Sequence, residues 1–292
     1  MRPVVFIQAN ARQMLGAKIS AFSYARNSKR AGDFDIHIMD AADYSRLMQP
    51  GQSILRGGHV RGWDPDDLQS FTPLRFAPPT LMGFAGRALV TDPDCFGVAD
   101  VAELLFDHDL GGKAIAAVPR PGHNKDPDYI ATSVMLLDCA QLEHWDFEPL
   151  LGRLFARDLD YVDWMRLKYE DRSTIAALPP RWNSFDRLEP GTGILHTTKR
   201  RTQPWKSGLP VDYTLRESGP LDLFRRFVNR RYEPHPDQRQ EAFIYALLAE
   251  MVDGGVLTKD ELVSEMAANH IRHDSLELIE RYRGWALIEQ AA

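Results

Sequence analysis

The chain opens on a run of hydrophobic residues that is followed by a periodic amphipathic segment. Residues 4–9 are apolar and rich in β-branched side chains, which is typical of a strand buried on both faces. Apolar residues then recur at helical spacing within residues 11–30, and apolar and polar residues alternate over residues 34–39. This strand–helix–strand start predicts an α/β protein with a Rossmann-like, mixed and mostly parallel sheet flanked by helices.

The rest of the chain divides into an irregular part, further strands and a helical tail. Glycine and proline interrupt residues 41–79, which we expect to be irregular. From residue 221 the apolar pattern is helical, so we expect a nucleotide-binding domain at residues 1–213 and a C-terminal helical extension at residues 214–292. That extension is expected to serve in packing or in homo-oligomer formation. Further strands are predicted at residues 88–91, 113–118, 130–137 and 193–197, and helices of the tail at residues 242–251, 259–268 and 275–286.

Composition and charge exclude some classes of protein. With 44% hydrophobic and 26% charged residues, the chain has the composition of an ordinary globular protein. Its net charge of −6 argues against nucleic acid as a partner, because no basic excess is available to neutralise phosphates. Cys95 and Cys139 form neither a metal-ligand spacing nor a disulfide framework. Since the chain also shows no signal peptide and no transmembrane segment of about 18 apolar residues, we expect a cytoplasmic protein.

Two carboxylates follow the predicted strand that ends at Thr91. Asp92 and Asp94 are separated by Pro93, and an extended backbone would place both side chains on the same side. Residues 98–105 after them are expected to form a helix. Open α/β sheets bind ligands at the carboxyl ends of their strands. Although Asp-x-Asp alone is common in turns, its position here predicts a site for Mg²⁺ or Mn²⁺ with a diphosphate.

A histidine closes the last predicted strand of the sheet, and a basic loop follows it. His196 is followed by Lys199, Arg200, Arg201 and Lys206. A histidine at a strand end is often structural, and a basic cluster is commonly a solvated loop. Guanidinium and ammonium groups also pair with phosphate oxygens, so the combination of both features favours a diphosphate site.

Several short motifs together resemble the family-8 glycosyltransferases, which are retaining enzymes of the GT-A fold. The resemblance covers about the first 210 residues and implies a metal-dependent hexosyltransferase. Such an enzyme moves a sugar from a nucleotide-sugar donor, here expected to be UDP-linked, to a hydroxyl acceptor. The motifs that carry it are residues 5–10 with Gly16, residues 87–94, 132–137, 178–183 and 194–196, and Pro204-Trp205-Lys206.

The resemblance also implies roles for individual residues. Asp92, Asp94 and His196 would ligate the cation, and Asp163 or Asp160 would stand in for the family's catalytic Asp-Gln motif. Either carboxylate would be needed only for double displacement, since a front-side route lets the leaving phosphate take the acceptor's proton. Donor contacts are implied for Gln8, Ala9, Asn10, Arg75, Arg87, Asp92, Pro93, Asp94, Lys199, Trp205 and Lys206.

The chain departs from the family pattern at positions that bear on function. Gln203 stands where the family has a lysine, and residues 131–133 replace its Asn-Ser-Gly sequence. A non-catalytic sugar-nucleotide-binding or assembly protein on the same fold therefore stays open. A nucleotidyltransferase is a further alternative, although residues 11–14 lack the glycine-rich phosphate loop it would normally show.

Four other residues are candidates for the same site. Trp182 and Asn183 are predicted to lie on a loop, where they would contact a sugar, or where the tryptophan would only anchor the loop. His123 lies in a predicted loop over the site. Cys95 follows the acidic pair, but without a base at a recognisable spacing we expect a small buried residue rather than a ligand or nucleophile.

Overall fold

The computed structural model of the chain describes residues 1–67, 70–122, 128–212 and 231–285. The predicted loop at His123 and the predicted start of the helical tail at residues 221–227 lie outside these residues. The chain divides into two compact units. The first is Met1–Ser184 with Gly191–His196, and the second is Phe185–Pro190 with Thr197–Ala292. The domain boundary expected at residue 213 stays a prediction.

The centre of the first unit is a six-stranded sheet with the order β2-β1-β5-β8-β7-β9. Strand β1 is parallel to β2 and β5, and β7 is parallel to β9. Only β8 among these strands runs against its neighbours β5 and β7. The predicted mixed, mostly parallel α/β sheet is therefore confirmed. The strands are β1 (Val4–Ala9), β2 (Asp35–Asp40), β3 (Ser53–Arg56), β4 (His59–Gly62), β5 (Arg87–Thr91), β6 (Cys95–Gly97), β7 (Ile115–Arg120), β8 (Tyr129–Asp138), β9 (Ile175–Ala177), β10 (Ser184–Phe185) and β11 (Ile194–His196).

Helices flank this sheet in the first unit and dominate the second. The three predicted helices of the tail are found, with slightly different ends. In the described residues, no helix is long and apolar enough to cross a membrane. The helices of the first unit are α1 (Met14–Asn27), α2 (Ser45–Met48), α3 (Pro78–Leu81), α4 (Phe147–Ala156) and α5 (Tyr161–Met165), and those of the second are α6 (Gln238–Asp253), α7 (Lys259–Ala267) and α8 (Ser275–Tyr282).

Aromatic packing holds a short 3₁₀ helix, Thr72–Phe76, against the core of the first unit. The ring of Phe76 stacks on Trp164 with centroids 4.4 Å apart and lies 4.6 Å from the ring of Trp145. All three side chains are buried, and aromatic contacts of this kind stabilise beyond the area that they remove from water. This packing fixes the backbone of the preceding residue, Arg75, whose side chain bonds to Asp92.

Two segments differ from the sequence-based expectation. Residues 53–62, expected to be irregular, form the hairpin of β3 and β4. Its turn is Gly57-Gly58, and both glycines have positive φ angles, of 60° and 79°, as a two-residue hairpin turn requires. The helix expected at residues 98–105 is found further along the chain. After strand β6 (Cys95–Gly97), the helical segment is a π-helix at Glu103–Asp107.

In the second unit, α6 and α8 pack together through tyrosines. The rings of Tyr245 and Tyr282 are stacked, and the hydroxyl of Tyr245 lies 3.0 Å from that of Ser275. Thr258 and Glu261 form a capping box, in which each side chain bonds to the backbone N–H of the other residue and stabilises the start of α7. These contacts stabilise the helices of the second unit.

Candidate functional site

The carboxyl ends of β1 and β5 meet at one edge of the sheet. The register pairs Ile7 with Thr91, so the residues that follow them, Gln8 and Asp92, are neighbours. Nε2 of Gln8 donates a hydrogen bond to the Asp92 carboxylate. The backbone N–H of Asp92 donates to the carbonyl of Ser133 over 2.9 Å, which continues the pairing with β8. Gln8 and Asp92, two of the contacts predicted from the sequence, thus lie together at this edge.

The acidic pair lies on a tight turn. The backbone N–H of Cys95 donates to the Asp92 carbonyl over 3.1 Å, which makes residues 92–95 a β-turn. Pro93 occupies its second position, where the fixed φ of proline is favoured. This corrects the expectation of an extended backbone through the two aspartates. Asp94 directly precedes β6.

Helix α1 supports this turn at close range. A Cβ atom at Gly16 would lie 2.9 Å from the carbonyl oxygen of Pro93, so only glycine allows this approach without displacement. Further along α1, the hydroxyls of Ser20 and Tyr24 donate to the Cys95 carbonyl over 2.5 and 3.2 Å. Helix α1 therefore contacts the residues on both sides of Asp94.

Asp92 forms an ion pair with Arg75 at this edge. Nε of Arg75 lies 2.9 Å from one carboxylate oxygen, and Nη2 bonds to the other. Nη1 donates over 2.9 Å to the hydroxyl of Thr132, which itself donates to the carbonyl of Met165 over 2.8 Å. Burial raises the pKa of the Asp92 carboxyl above its usual value, although the charge of Arg75 opposes this change. Both carboxylate oxygens of Asp92 are thus hydrogen-bonded to the guanidinium group of Arg75.

The second aspartate faces the histidine of the last strand. Nε2 of His196 lies 3.4 Å from a carboxylate oxygen of Asp94. Nδ1 lies 2.8 Å from the amide oxygen of Asn183, whose amide nitrogen donates to the hydroxyl of Ser133 over 2.9 Å. Because the amide nitrogen is committed to Ser133, this hydrogen-bond network assigns a proton to Nδ1, which donates to Asn183. Nε2 lies on the side of the ring that faces Asp94.

Cys95 completes a cluster with these two residues. Its Sγ, a carboxylate oxygen of Asp94 and a ring nitrogen of His196 all lie within 4.8 Å of one another. In the register of β6 with β11, Cys95 is paired with His196, so both side chains project from the same face. Burial raises the pKa of the Cys95 thiol well above its usual value, and the charges of Asp94 and Asp92 act in the same direction.

The donor set fits a divalent cation. An anionic oxygen from Asp94 and a neutral imidazole nitrogen from His196 are both good ligands for Mn²⁺. The hydrogen bond from Nδ1 to Asn183 is the kind of supporting contact that ligating histidines make. Asp92 would join them if one of its oxygens exchanged Arg75 for the cation.

Asn10, the predicted nucleoside contact after β1, is held by its amide nitrogen. That nitrogen donates to the carbonyl of Asp67 and to the hydroxyl of Ser70, over 3.0 and 3.1 Å. Among the described residues, the buried amide oxygen of Asn10 has no hydrogen-bond partner. Ala9 beside it is fully buried.

The structure does not bring Arg87 to this edge. Arg87 begins β5, whereas Asp92 follows its end, and a strand advances about 3.3 Å per residue. Its Nη1 instead donates to the carbonyls of Leu105 and His108, over 3.3 and 2.9 Å. The expectation of a donor contact at Arg87 is corrected, because this side chain fixes the end of the π-helix.

Asp160 and Asp163, the predicted catalytic carboxylates, both have local partners. Asp160 caps α5 by accepting from the backbone N–H of Val162 over 2.8 Å, and it also accepts from Gly58 over 2.7 Å. Burial acts to raise the pKa of Asp160, but its hydrogen bonds from the backbone outweigh burial and lower it. Asp163 forms an ion pair of 2.6 Å with Lys168 and is more exposed. Asp160 is thus a helix cap.

The predicted diphosphate-binding residues belong to the second unit. Lys206 is fully buried there, where its Nζ bonds to the carboxylate of Asp212 and lies 5.7 Å from the ring centre of Tyr232. Trp205 is buried as well, whereas Lys199 is exposed. Lys206 therefore has a structural ion pair that the sequence did not predict.

No protein-family model and no curated protein matches the chain. Solved structures with a similar backbone are an apo bifunctional glycosyltransferase, WbbM (16% identity, TM-score 0.47), the galactosyltransferase LgtC in complex with donor and acceptor sugar analogues (12%, 0.46), and the glycosyltransferase GlyE of Streptococcus pneumoniae TIGR4 (16%, 0.49). They cover 70%, 82% and 87% of this chain. The chain spans 47% of WbbM, 99% of LgtC and 64% of GlyE.

Proposed function

We propose that the protein is a metal-dependent glycosyltransferase that moves a sugar from a UDP-linked donor to a hydroxyl acceptor. The observation that carries this proposal is the Asp94–His196 pair, in which Nε2 of the ring lies 3.4 Å from a carboxylate oxygen. Asp94 lies just beyond the carboxyl end of β5, where open α/β sheets bind their ligands. Family-8 glycosyltransferases, which the sequence motifs resemble, use an aspartate pair and a distant histidine in the same order.

Different residues of the chain would have different roles in binding the donor. Asp94 and His196 would hold Mn²⁺ or Mg²⁺, and Asp92 would be a further ligand. The bound cation acts as a Lewis acid that stabilises the departing diphosphate. Asn183 keeps Nε2 of His196 in the ligating form, and Arg75 balances the charge of Asp92.

The nucleoside is expected to lie beside the carboxyl end of β1. The buried amide oxygen of Asn10 supplies an acceptor for an N–H group of the base, since it has no other partner among the described residues. Gln8 and Ala9 would line the same pocket. Lys199 stays the predicted contact of the diphosphate, because it is exposed while Lys206 is buried against Asp212.

A front-side route fits the carboxylates better than double displacement does. In this route, the bond from the anomeric carbon to the phosphate oxygen breaks as the acceptor oxygen bonds to the same face. The acceptor's proton passes to the departing phosphate oxygen, so no carboxylate nucleophile is needed. Asp160 is committed to capping α5, and Asp163 to Lys168, which supports this choice.

A second candidate is a sugar-nucleotide-binding protein without turnover. Two features favour this second candidate. Lys206 is buried against Asp212, and position 203, where the family has a lysine, is a glutamine. Each feature leaves one lysine fewer to contact the diphosphate. The nucleotidyltransferase alternative has no comparable support, since residues 11–13 after β1 form a 3₁₀ helix rather than a glycine-rich loop.

Binding and turnover of UDP-sugars test the proposal. UDP should bind more tightly with Mn²⁺ than without it, and UDP should be released slowly from UDP-glucose or UDP-galactose. Asp94→Asn should lose both properties, whereas Asp138→Asn, at the opposite edge of the same sheet, should keep them. Metal-dependent binding with no release would favour the second candidate. If UDP does not bind with or without Mn²⁺, both proposals fail.

A further inference from the structure

We propose that Cys95 is a third protein ligand of the cation held by Asp94 and His196. Its thiol would give this site a preference for cations that bind nitrogen and sulfur, such as Co²⁺ and Cd²⁺, over Mg²⁺. The inference rests on the proposed function, because it concerns the same site. It also replaces the sequence-based expectation that Cys95 only fills space.

The first argument is geometric and comes from the backbone. Cys95 and His196 are directly opposite each other on β6 and β11, so their Cβ atoms are expected about 4.5–5.5 Å apart on one face. Asp94 precedes Cys95 on a turn that Pro93 and α1 hold in place. The three side chains are thus brought together by the sheet register and the turn rather than by flexible loops.

The distances suit coordination. Ligand atoms of a tetrahedral Zn²⁺-like cation lie about 2.0–2.3 Å from the metal, and so about 3.3–3.8 Å from one another. Nε2 of His196 is already 3.4 Å from the Asp94 oxygen, and the whole set lies within 4.8 Å. Coordination would require small side-chain rotations that bring Sγ of Cys95 closer to the other two ligand atoms. In its present position Sγ makes a long contact of 3.7 Å to the carbonyl of Ser133.

The second argument is chemical. Mg²⁺ is a hard cation that takes oxygen ligands and retains water, and a cysteine ligand adds nothing to its binding. Sulfur ligands select softer cations, and affinity for nitrogen and sulfur sites rises from Mn²⁺ to Co²⁺ and beyond. Bound to such a cation, Cys95 would ligate as the thiolate, and its proton would be released to water.

The chain contains a matched control in Cys139. Both cysteines are free and fully buried in the first unit. Cys139 follows β8 at the opposite edge of the sheet, and its backbone N–H bonds to the carbonyl of Gly86. Among the described residues, the cluster of potential metal ligands includes Cys95 and not Cys139.

Absorption spectra of the full chain titrated with Co²⁺ test this assignment. A cobalt–thiolate bond gives a charge-transfer band in the near ultraviolet, while carboxylate and imidazole ligands alone give only weak visible bands. We expect the ultraviolet band in the parent and in Cys139→Ser, and its loss in Cys95→Ser with the visible bands retained. Retained visible bands also show that the variant is folded. Affinity for Cd²⁺ should fall at least about tenfold in Cys95→Ser, and affinity for Mg²⁺ should not change.

Failure of this inference can be distinguished from failure of the proposed function. An ultraviolet band that is absent from the parent, or that survives in Cys95→Ser and Cys95→Ala, overturns the role of Cys95. Mn²⁺-dependent UDP binding would then still support the glycosyltransferase proposal. Conversely, a cysteine-dependent band without any UDP binding supports the ligand assignment while the proposed function fails.

Discussion

The amide oxygen of Asn183 lies 2.8 Å from Nδ1 of His196, on the side of the ring opposite the nitrogen that faces Asp94. Ser133 orients the amide by accepting from its nitrogen. Strand β8, the 3₁₀ helix Pro180–Asn183 and strand β11 therefore together fix the orientation of the His196 ring. This arrangement makes Asn183 a positioning residue, although the sequence indicated a sugar contact.

Replacement of Asn183 by alanine should weaken Mn²⁺ binding about 10–100-fold, because ligating histidines lose that much when their supporting hydrogen bond is removed. Calorimetric titration with Mn²⁺ measures this directly. Asn27→Ala is a suitable control, since it deletes another amide of the same unit, which bonds to the carbonyl of Gly97. Parental affinity in Asn183→Ala would show that the amide does not orient the ring.

Gly16→Ala should displace the turn that carries Asp94. The new methyl group would lie 2.9 Å from the Pro93 carbonyl, and the resulting strain exceeds the gain in helix propensity by about 1 kcal/mol. Mn²⁺ affinity should fall about tenfold because the turn must move. Gly32→Ala is the control, as nothing lies within 4 Å of a Cβ atom at that position. Equal Mn²⁺ affinity in both variants would contradict this account of the turn.

Arg75→Met should destabilise the first unit by about 3–5 kcal/mol, because it leaves the buried carboxylate of Asp92 without its cation. Urea denaturation gives the free energy of unfolding. Adding Asp92→Asn to this variant should recover much of the loss. Arg46→Met provides the comparison, since its ion pair with Glu148 is exposed and is worth about 0–1 kcal/mol. Similar losses in the two single variants would show that burial of the Arg75 pair is unimportant.

The main elements of the fold could be predicted because their signals are local. The apolar run of β1 and the helical spacing of α1 each lie within one element, and the structure confirms both. The hairpin at residues 53–62 was not predicted, because Gly57-Gly58 was interpreted as a break in structure. A two-residue turn uses the same glycines to reverse the chain.

The site could be predicted only in part, since its contacts join distant residues. Asp94 and His196 were chosen from motifs, and the structure places them side by side. The pairing of Asp92 with Arg75 could not be seen, because charge complementarity over 17 residues leaves no periodic pattern. Likewise, Cys95 meets His196 through a strand register that the sequence does not reveal.

The acid sensitivity of the fold should depend partly on Asp160. Its lowered pKa means that its stabilising contribution is complete above the ordinary aspartate value of about 3.9 and is lost as the pH falls through the lower, folded-state value. Melting temperatures measured over this acidic range should therefore fall less steeply in Asp160→Asn than in the parent. Asp160→Ala should lose about 0.5–2 kcal/mol at neutral pH through the missing cap.

The same variants decide between a structural and a catalytic Asp160. Asp160→Asn should retain release of UDP from the donor, since the asparagine still caps α5. An acid-denaturation profile identical to that of the parent, together with lost turnover, would assign this carboxylate to catalysis instead.

Electron paramagnetic resonance of free Mn²⁺ tests the central claim most directly. In the presence of UDP, one equivalent of the parent protein should remove the signal of one equivalent of Mn²⁺. Asp94→Asn and His196→Ala should leave most of that signal, and Asp138→Asn should behave as the parent does. If Asp94→Asn and His196→Ala removed the signal as completely as the parent, the cation would bind elsewhere and the proposed site would be wrong.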